Sequence, residues 1–210
     1  DVNAPEAVEK IRSWKPDCIA VVAFGQFLKE KLLNLPRFGC INCHYSLLPK
    51  YRGASPVTEA ILNGDEFTGV SIIRMGMGMD DGPILWKTPI GMAEQIYPYD
   101  TTASLMERLA FAGGAALGCT LLNIEMGRQA PPVPQDSSRV SIARKHKRTD
   151  GLIKWGSPSA VIERTCREAE QLADHGVTEL NVIAQDTSGY GLDLYGKPML
   201  LPLLKRLSEI

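Results

Sequence analysis

The stretch that decides the fold is Gly39-Cys40-Ile41-Asn42-Cys43-His44-Tyr45-Ser46-Leu47-Leu48-Pro49. Its first seven residues predict a β-strand, in which side chains alternate between the two faces. Asn42 and His44 are therefore expected on one face, with Ile41 and Cys43 on the other. An amide and an imidazole would then lie side by side at the carboxyl end of a strand, the edge where open α/β sheets bind ligands. The sequence predicts a functional site here, followed by a rigid loop.

The residues on either side of this stretch predict an α/β fold. Cys18–Gly25 is a short apolar run of the kind found in buried parallel strands, and Phe27–Leu35 predicts a short connecting helix. Ser55–Pro56 predicts a helix start, because Ser caps helices and Pro suits the first helical position. Gly76–Pro83 predicts a loop, since three glycines and a proline interrupt it. The other predicted elements are helices over 4–11, 102–126, from Ser157 and from about Pro198, and strands over 68–75, 84–90 and 180–184. Thr101 or Thr102 can cap the helix over 102–126, and Gly127 is expected to end it.

Composition narrows the class of protein. The chain has 210 residues, 44% of them hydrophobic, and a net charge of −1, which suits one or two soluble domains rather than a chain that binds nucleic acid throughout. No apolar run approaches the roughly 20 residues that a membrane helix needs, and no signal peptide is visible. Five scattered cysteines are typical of reduced thiols in a cytoplasmic protein, so a cytoplasmic location is expected.

Asn42, His44 and Asp80 are the residues predicted to carry chemistry. A strand-end Asn can donate its amide N–H to an oxygen that becomes negative in a tetrahedral intermediate. A neighbouring His can share that role or move a proton near neutral pH, and an Asp from a facing loop would orient the imidazole. Together they suit acyl transfer without a covalent enzyme intermediate. The alternative is a buried, hydrogen-bonded His near a turn, with Asp80 an ordinary loop residue.

The motif Cys40-Ile41-Asn42-Cys43-His44 offers a competing interpretation, because C-x-x-C-H is the attachment pattern of c-type haem. Haem attachment uses two thiols on one accessible face, whereas Cys40 and Cys43 would face opposite sides of a strand. Two buried core thiols are therefore favoured over haem, a redox pair or a metal pair.

Two further clusters have simple interpretations. Met75, Met77 and Met79 could suit a soft metal, but adaptable apolar packing is favoured. Arg144–Arg148 is typical of a solvated linker, with contact to phosphate groups as the alternative.

The central stretch resembles the signature of the formyltransferases that use 10-formyltetrahydrofolate. The resemblance spans roughly residues 1–166, and its motifs are Asn42-Cys43-His44-Tyr45-Ser46-Leu47-Leu48-Pro49-Lys50-Tyr51-Arg52-Gly53-Ala54-Ser55-Pro56, Leu62-Asn63-Gly64-Asp65, Thr68-Gly69-Val70 and Met79-Asp80-Asp81-Gly82-Pro83-Ile84-Leu85. Within the family, 51–54 and the later 150–155 favour the branch that formylates methionyl-tRNA over the branch that acts on glycinamide ribonucleotide.

This resemblance implies a Rossmann-like, mostly parallel sheet of the formyltransferase type that lacks its first strands. It implies Asn42, His44 and Asp80 as catalytic residues for attack of the methionyl α-amine on the formyl carbon. It implies a folate site formed by Ser46, Leu47, Leu48, Pro49, Met77, Gly78 and Met79. The donor would be 10-formyltetrahydrofolate and the acceptor the initiator methionyl-tRNA, with no metal and no membrane involved.

The same comparison of motifs predicts the domain organisation. We expect a formyltransferase core over 1–130, a linker over 131–156, the start of a tRNA-binding domain over 157–166 and an unrelated small α/β tail over 167–210. The tail resembles a fragment of the radical-SAM methylthiotransferases, without their three-cysteine cluster motif. The resemblance implies that this chain lacks the family's opening strands and most of a tRNA-binding domain, so little or no transfer is expected from it alone. The alternatives are a folate-binding module without catalysis and a formyltransferase acting on a small amine.

Overall fold

The computed structural model describes residues 1–146 and 195–208. Its helices are α1 (Pro5–Ser13), α2 (Glu30–Leu33), α3 (Pro56–Leu62), α4 (Thr102–Glu125) and α5 (Leu200–Ser208). Its strands are β1 (Ile19–Val22), β2 (Cys40–His44), β3 (Arg52–Gly53), β4 (Phe67–Thr68), β5 (Ser71–Arg74), β6 (Ile84–Lys87), β7 (Glu94–Gln95) and β8 (Ile142–Ala143). The motif at 150–155, the helix expected at Ser157 and the strand expected over 180–184 lie outside the described residues, as does most of the predicted tail.

The main sheet has the order β1-β2-β5-β6. β1 pairs parallel to β2, whereas β2 with β5 and β5 with β6 are antiparallel. The α/β class is confirmed, and the described part of the sheet is mixed rather than mostly parallel. β5 and β6 are antiparallel because the loop 75–83 that joins them is too short to carry a parallel crossover.

The alternation predicted for β2 is confirmed, and the strand separates two apolar clusters. Ile41 and Cys43 lie in the cluster under α3 and α4, while Cys40 belongs to a cluster with Val21 and Leu32 on the other face. The two thiols therefore point away from each other, as the sequence predicts. Burial raises the pKa of both Cys40 and Cys43 to about 11, which is typical of inert core thiols.

β1 is less buried than its apolar sequence suggests. Val21 is buried, but Ala20 is exposed and Val22 is 44% exposed. β1 has a partner on one side only among the described strands, and α4 lies over β2, β5 and β6. The expectation of a fully buried strand is therefore wrong in this structure, because no described helix covers this face of β1.

Helix α4 forms the main cover of the sheet. Thr101 caps its start in a capping box with Ser104, and Gly127, with φ of 64°, follows its end as predicted. By length and composition α4 is also apolar enough to cross a membrane, so the expectation that no segment is that apolar is wrong. Its inner stripe, which includes Leu105 and Leu109, packs on the sheet, and this is the position of a core helix.

Two smaller predictions are corrected. α3 begins at Pro56 as expected, but the Ser55 side chain makes no capping hydrogen bond. The strand predicted over 68–75 is split into β4 and β5, because β4 pairs with β7 in a separate two-stranded sheet.

An ion-pair network fixes the start of α4. Arg108 donates hydrogen bonds to both carboxylate oxygens of Asp100 at 2.7 Å and to Glu94 at 2.6 Å. The Asp100 side chain is only 1% exposed, so this carboxylate depends on Arg108 for compensation of its buried charge.

Candidate active site

The site lies at the carboxyl end of β2. Asn42 and His44 project from the same face of this strand and are 9% and 5% exposed. The loop between β5 and β6 brings Asp80 over them. Asp80 has a φ of 49°, so its backbone takes the left-handed conformation that places its side chain toward β2.

The carboxylate of Asp80 joins three groups of the site. Its Oδ1 accepts a hydrogen bond from Asn42 Nδ2 at 3.2 Å, and its Oδ2 lies 3.5 Å from His44 Nδ1. The backbone N–H of Gly53 donates to the same Oδ2 at 2.9 Å. The structure therefore brings the amide, the imidazole and the carboxylate together at one strand end.

A backbone carbonyl fixes the other side of the imidazole. His44 Nε2 lies 2.8 Å from the oxygen of Tyr51, a buried residue with φ of 62°. A carbonyl oxygen only accepts hydrogen bonds, so Nε2 must carry a hydrogen. Nδ1 is then the ring atom at which a proton can be gained or lost, and it faces Asp80. The ring cannot turn without losing the Tyr51 contact.

The Asn42 amide retains a donor for a ligand. An amide nitrogen carries two hydrogens, and the contact with Asp80 uses one of them. The second can donate to an oxygen placed beside the imidazole. This is the arrangement needed to stabilise a developing negative charge on that oxygen.

The loop after β2 is held by buried hydrogen bonds rather than left open to solvent. Ser71 Oγ donates to Ser46 O at 2.7 Å and accepts from Leu48 N at 3.0 Å, while Ser46 Oγ donates to Lys50 O at 2.5 Å. The side chains of Ser46 and Leu48 are both 0% exposed. Within the segment 46–49, Leu47 and Pro49 are the only residues with partly exposed side chains.

The other predicted folate segment is accessible. Met77 is 67% exposed and Met79 is 40% exposed, and Gly78 lies between them on the surface. Met79 Sδ also approaches Gly53, which places it next to the Asp80 carboxylate. Large exposed apolar side chains beside buried polar groups are typical of a ligand site.

A cavity of about 400 Å³ adjoins the start of the same loop. Its lining includes Arg37, Phe38, Arg74 and Met77, but none of Asn42, His44 and Asp80. We place the candidate active site at the polar triplet rather than in this cavity, because none of the three side chains predicted to carry chemistry lines the cavity.

Sequence reasoning missed several groups of the site. They are the Tyr51 carbonyl, the Gly53 N–H, Ser71, Gln135 and Ser141, whose Oγ accepts from Tyr51 N at 2.8 Å. For Gly53 the sequence did offer a signal, the glycine itself, because glycine allows conformations that other residues disfavour. The structure explains the glycine, since its φ is 120° and the nearby Ala143 carbonyl leaves no space for a Cβ. Backbone groups and long-range contacts leave no trace in a local pattern.

The remaining candidate clusters give no second site within the part of the chain described. Residues 1–146 and 195–208 contain no group of three His, Cys, Asp or Glu side chains that could hold a metal ion. His146 of the basic cluster lies 3.4 Å from Glu59, and Lys147 and Arg148 lie outside the described residues.

Comparison with known proteins identifies the class that this fold and site define. The family model described as "Formyl transferase" matches residues 2–121, so the chain belongs to the formyl transferase family. The motif resemblance to that family is therefore confirmed.

Its curated relatives include methionyl-tRNA formyltransferases. The protein of that name from Acidithiobacillus ferrooxidans is 44% identical over 162 residues, covering 77% of this chain and 50% of the relative. The one from Trichlorobacter lovleyi is 43% identical over 168 residues, covering 79% of this chain and 51% of the relative. The chain thus spans about half the length of the curated relatives it matches.

Solved structures share the fold at lower identity. HypX from Aquifex aeolicus, solved with tetrahydrofolic acid, aligns with a TM-score of 0.65 and 17% identity, covering 78% of this chain and 27% of that protein. An N-formyltransferase from Helicobacter canadensis, solved with folinic acid and dTDP-3-aminofucose, gives a TM-score of 0.60 and 21% identity, covering 75% and 56% of the two chains. At these identities the likeness extends to the fold alone.

Proposed function

We propose that this chain carries the catalytic centre of a methionyl-tRNA formyltransferase, which moves a formyl group from 10-formyltetrahydrofolate to the α-amine of methionyl-tRNA. The single observation that carries the proposal is the convergence of the Asn42 amide, the His44 imidazole and the Asp80 carboxylate at one strand end. The 44% identity to a methionyl-tRNA formyltransferase supports this acceptor over an amino sugar, since the N-formyltransferase solved with dTDP-3-aminofucose is only 21% identical.

The proposed reaction needs one nucleophilic attack and one proton relay. The neutral amine nitrogen attacks the formyl carbon, and the carbonyl electrons move to its oxygen, where the second hydrogen of Asn42 stabilises the negative charge. His44 Nδ1 accepts the proton released by the amine nitrogen and delivers it to N10 of the folate. The C–N10 bond then breaks, leaving tetrahydrofolate and the formylated amine. Asp80 holds the imidazole and stabilises its protonated form during the transfer.

The folate would lie against the Met77–Met79 segment, where exposed apolar side chains can cover a flat ring. Leu47 and Pro49 would contribute contacts from the opposite loop, while Ser46 and Leu48 support that loop from within the fold. The initiator methionyl-tRNA and the folate are the proposed partners, in the cytoplasm, where translation begins. Nothing in the proposed chemistry requires a metal, because the amide and the imidazole stabilise the charge.

The experiment is single-turnover formyl transfer, with enzyme in excess over methionyl-tRNA so that slow chemistry still yields product. We expect slow formation of formyl-methionyl-tRNA by the parent chain. Removing the amide donor (Asn42→Ala), the proton carrier (His44→Asn) or the carboxylate that holds that carrier (Asp80→Asn) should each reduce the rate by about 10²–10⁴-fold.

The outcomes separate the candidate functions. Product from the parent and loss in all three variants supports the proposal. Full activity in any variant removes that residue from the mechanism. Binding of a folate analogue without transfer to any amine selects a binding module, and transfer to an amino sugar nucleotide but not to methionyl-tRNA selects a small-amine enzyme. Both results contradict the proposed acceptor.

A further inference from the structure

The segment 133–143 lies along the site, although it falls in the range expected to be a linker. Val133 forms a β-bridge with Ile84, which follows the Asp80 loop. β8 pairs parallel to β3, the strand that contains Gly53. Between these two anchors, Gln135 reaches the Asp80 loop itself. The catalytic loop is thus held by residues more than 50 positions further along the chain.

Gln135 makes a two-point contact with that loop. Its Nε2 donates to the carbonyl oxygens of Asp80 and Gly82, each at 2.7 Å. Its Oε1 accepts from Arg52 Nε at 3.0 Å. Because a guanidinium only donates, Arg52 fixes which end of the amide faces the loop. Both hydrogens of the Gln135 amide are therefore directed at backbone carbonyls on either side of Asp81.

We propose that Gln135 is the positioning residue for Asp80. The Asp80 backbone has φ of 49°, a conformation that is unfavourable for a residue other than glycine and persists only when surrounding contacts hold it. The loop around it contains Gly76, Gly78 and Gly82, so it has little stiffness of its own. The two hydrogen bonds from Gln135 supply the missing constraint.

This inference rests on the proposed function, since Asp80 is catalytic only if the chain transfers formyl groups. Releasing the two carbonyls lets the Asp80 carboxylate move away from His44 and from the Gly53 N–H. The bound substrates keep their own contacts. The maximal single-turnover rate should therefore fall, while the donor concentration that gives half of that rate should change little.

The chain provides a matched control in Gln129. Its Nε2 also donates to two backbone carbonyls, of Leu85 at 3.1 Å and Ala130 at 3.2 Å, and its side chain is partly buried like that of Gln135. Both of these hydrogen bonds lie outside the Asp80 loop. Gln129→Met and Gln135→Met thus remove the same chemical group, but only Gln135 is hydrogen-bonded to the catalytic loop.

The test compares Gln135→Met, Gln135→Glu and Gln129→Met. Gln135→Glu keeps an acceptor for Arg52 but loses both donors, so it separates the loop contact from the Arg52 contact. In both Gln135 variants we expect the maximal rate to fall by about 10- to 100-fold, the cost of a misplacement of roughly 1 Å. Gln129→Met should stay within about threefold of the parent.

A second measurement does not depend on activity. The Gly53 N–H bonds to the Asp80 carboxylate, so its hydrogen exchange followed by NMR reports whether that carboxylate stays in place. We expect its exchange to speed up by about tenfold or more in both Gln135 variants and to be unchanged in Gln129→Met.

Each result has a defined meaning. Parent-like rates and parent-like Gly53 exchange in Gln135→Met or Gln135→Glu would overturn the inference, as would equal losses in all three variants. If the parent itself transfers no formyl group, the proposed function fails. The Gly53 exchange then still decides whether Gln135 holds the loop.

Discussion

The packing of α4 against the catalytic strand makes one substitution especially informative, Gly113→Ala. Gly113 lies on the buried stripe of α4, over β2. A Cβ added there would lie 2.8 Å from Cys43 Sγ and 3.0 Å from Tyr45 Cε1. Cys43 stands between the two site residues of β2 and is itself 4% exposed, so it has little space to move aside. Either the helix or the strand must shift.

Two opposing effects decide whether Gly113→Ala raises or lowers the free energy of unfolding. Replacing glycine by alanine inside a helix favours folding by about 1 kcal/mol, because alanine has the higher helix propensity. Forcing an extra methyl group into a packed core costs about 1–3 kcal/mol. The contact at 2.8 Å places Gly113→Ala in the costly range. We expect a net loss of about 1 kcal/mol in the free energy of unfolding.

Gly114 and Gly118 provide controls on the same helix. Both are exposed, and a Cβ added at either would meet nothing within 4 Å. Gly114→Ala and Gly118→Ala should each gain up to about 1 kcal/mol, so the difference from Gly113→Ala is about 2 kcal/mol. Urea unfolding followed by circular dichroism measures all three variants. Stabilisation of Gly113→Ala to the level of Gly114→Ala would refute the packing argument.

Two further predictions concern groups outside the site. Burial alone would raise the pKa of Asp100, but the hydrogen-bonded Arg108 guanidinium outweighs it and holds this pKa below its usual value. A carboxyl whose pKa is lowered by folding stabilises the fold above its unfolded pKa of about 4, and this stabilisation is lost as the pH falls. Asp100→Asn should therefore lower the free energy of unfolding by about 2 kcal/mol at pH 7 and by progressively less below about pH 4. Thermal unfolding measures the difference. At about pH 8, Ellman's reagent should modify the exposed Cys119 promptly. Cys40 and Cys43 should react only after urea unfolding, because both are buried and burial raises their pKa to about 11. Rapid reaction of Cys40 or Cys43 in the native chain would contradict this burial.

Local patterns determined the elements and the site strand. The alternation in β2 placed Asn42 and His44 on one face because a strand has a period of two wherever it occurs. The glycines of 76–83 determined a loop, and Thr101 with Gly127 determined the ends of α4, because capping and left-handed turns depend on a few neighbouring residues. The chemistry of the residue types proposed Asp80 from the facing loop and the motif resemblance agreed, but periodicity alone could not connect Asp80 to His44.

Tertiary structure alone decided how the site is held together. The Tyr51 carbonyl on His44, the Gly53 N–H on Asp80 and the Gln135 amide on the Asp80 loop are contacts between segments distant along the chain. Such contacts form because a buried or strained polar group must find a partner wherever the folded chain brings one. Sequence patterns describe what neighbouring residues prefer. Which remote backbone group meets them depends on how the sheet, α4 and the segment 133–143 pack together.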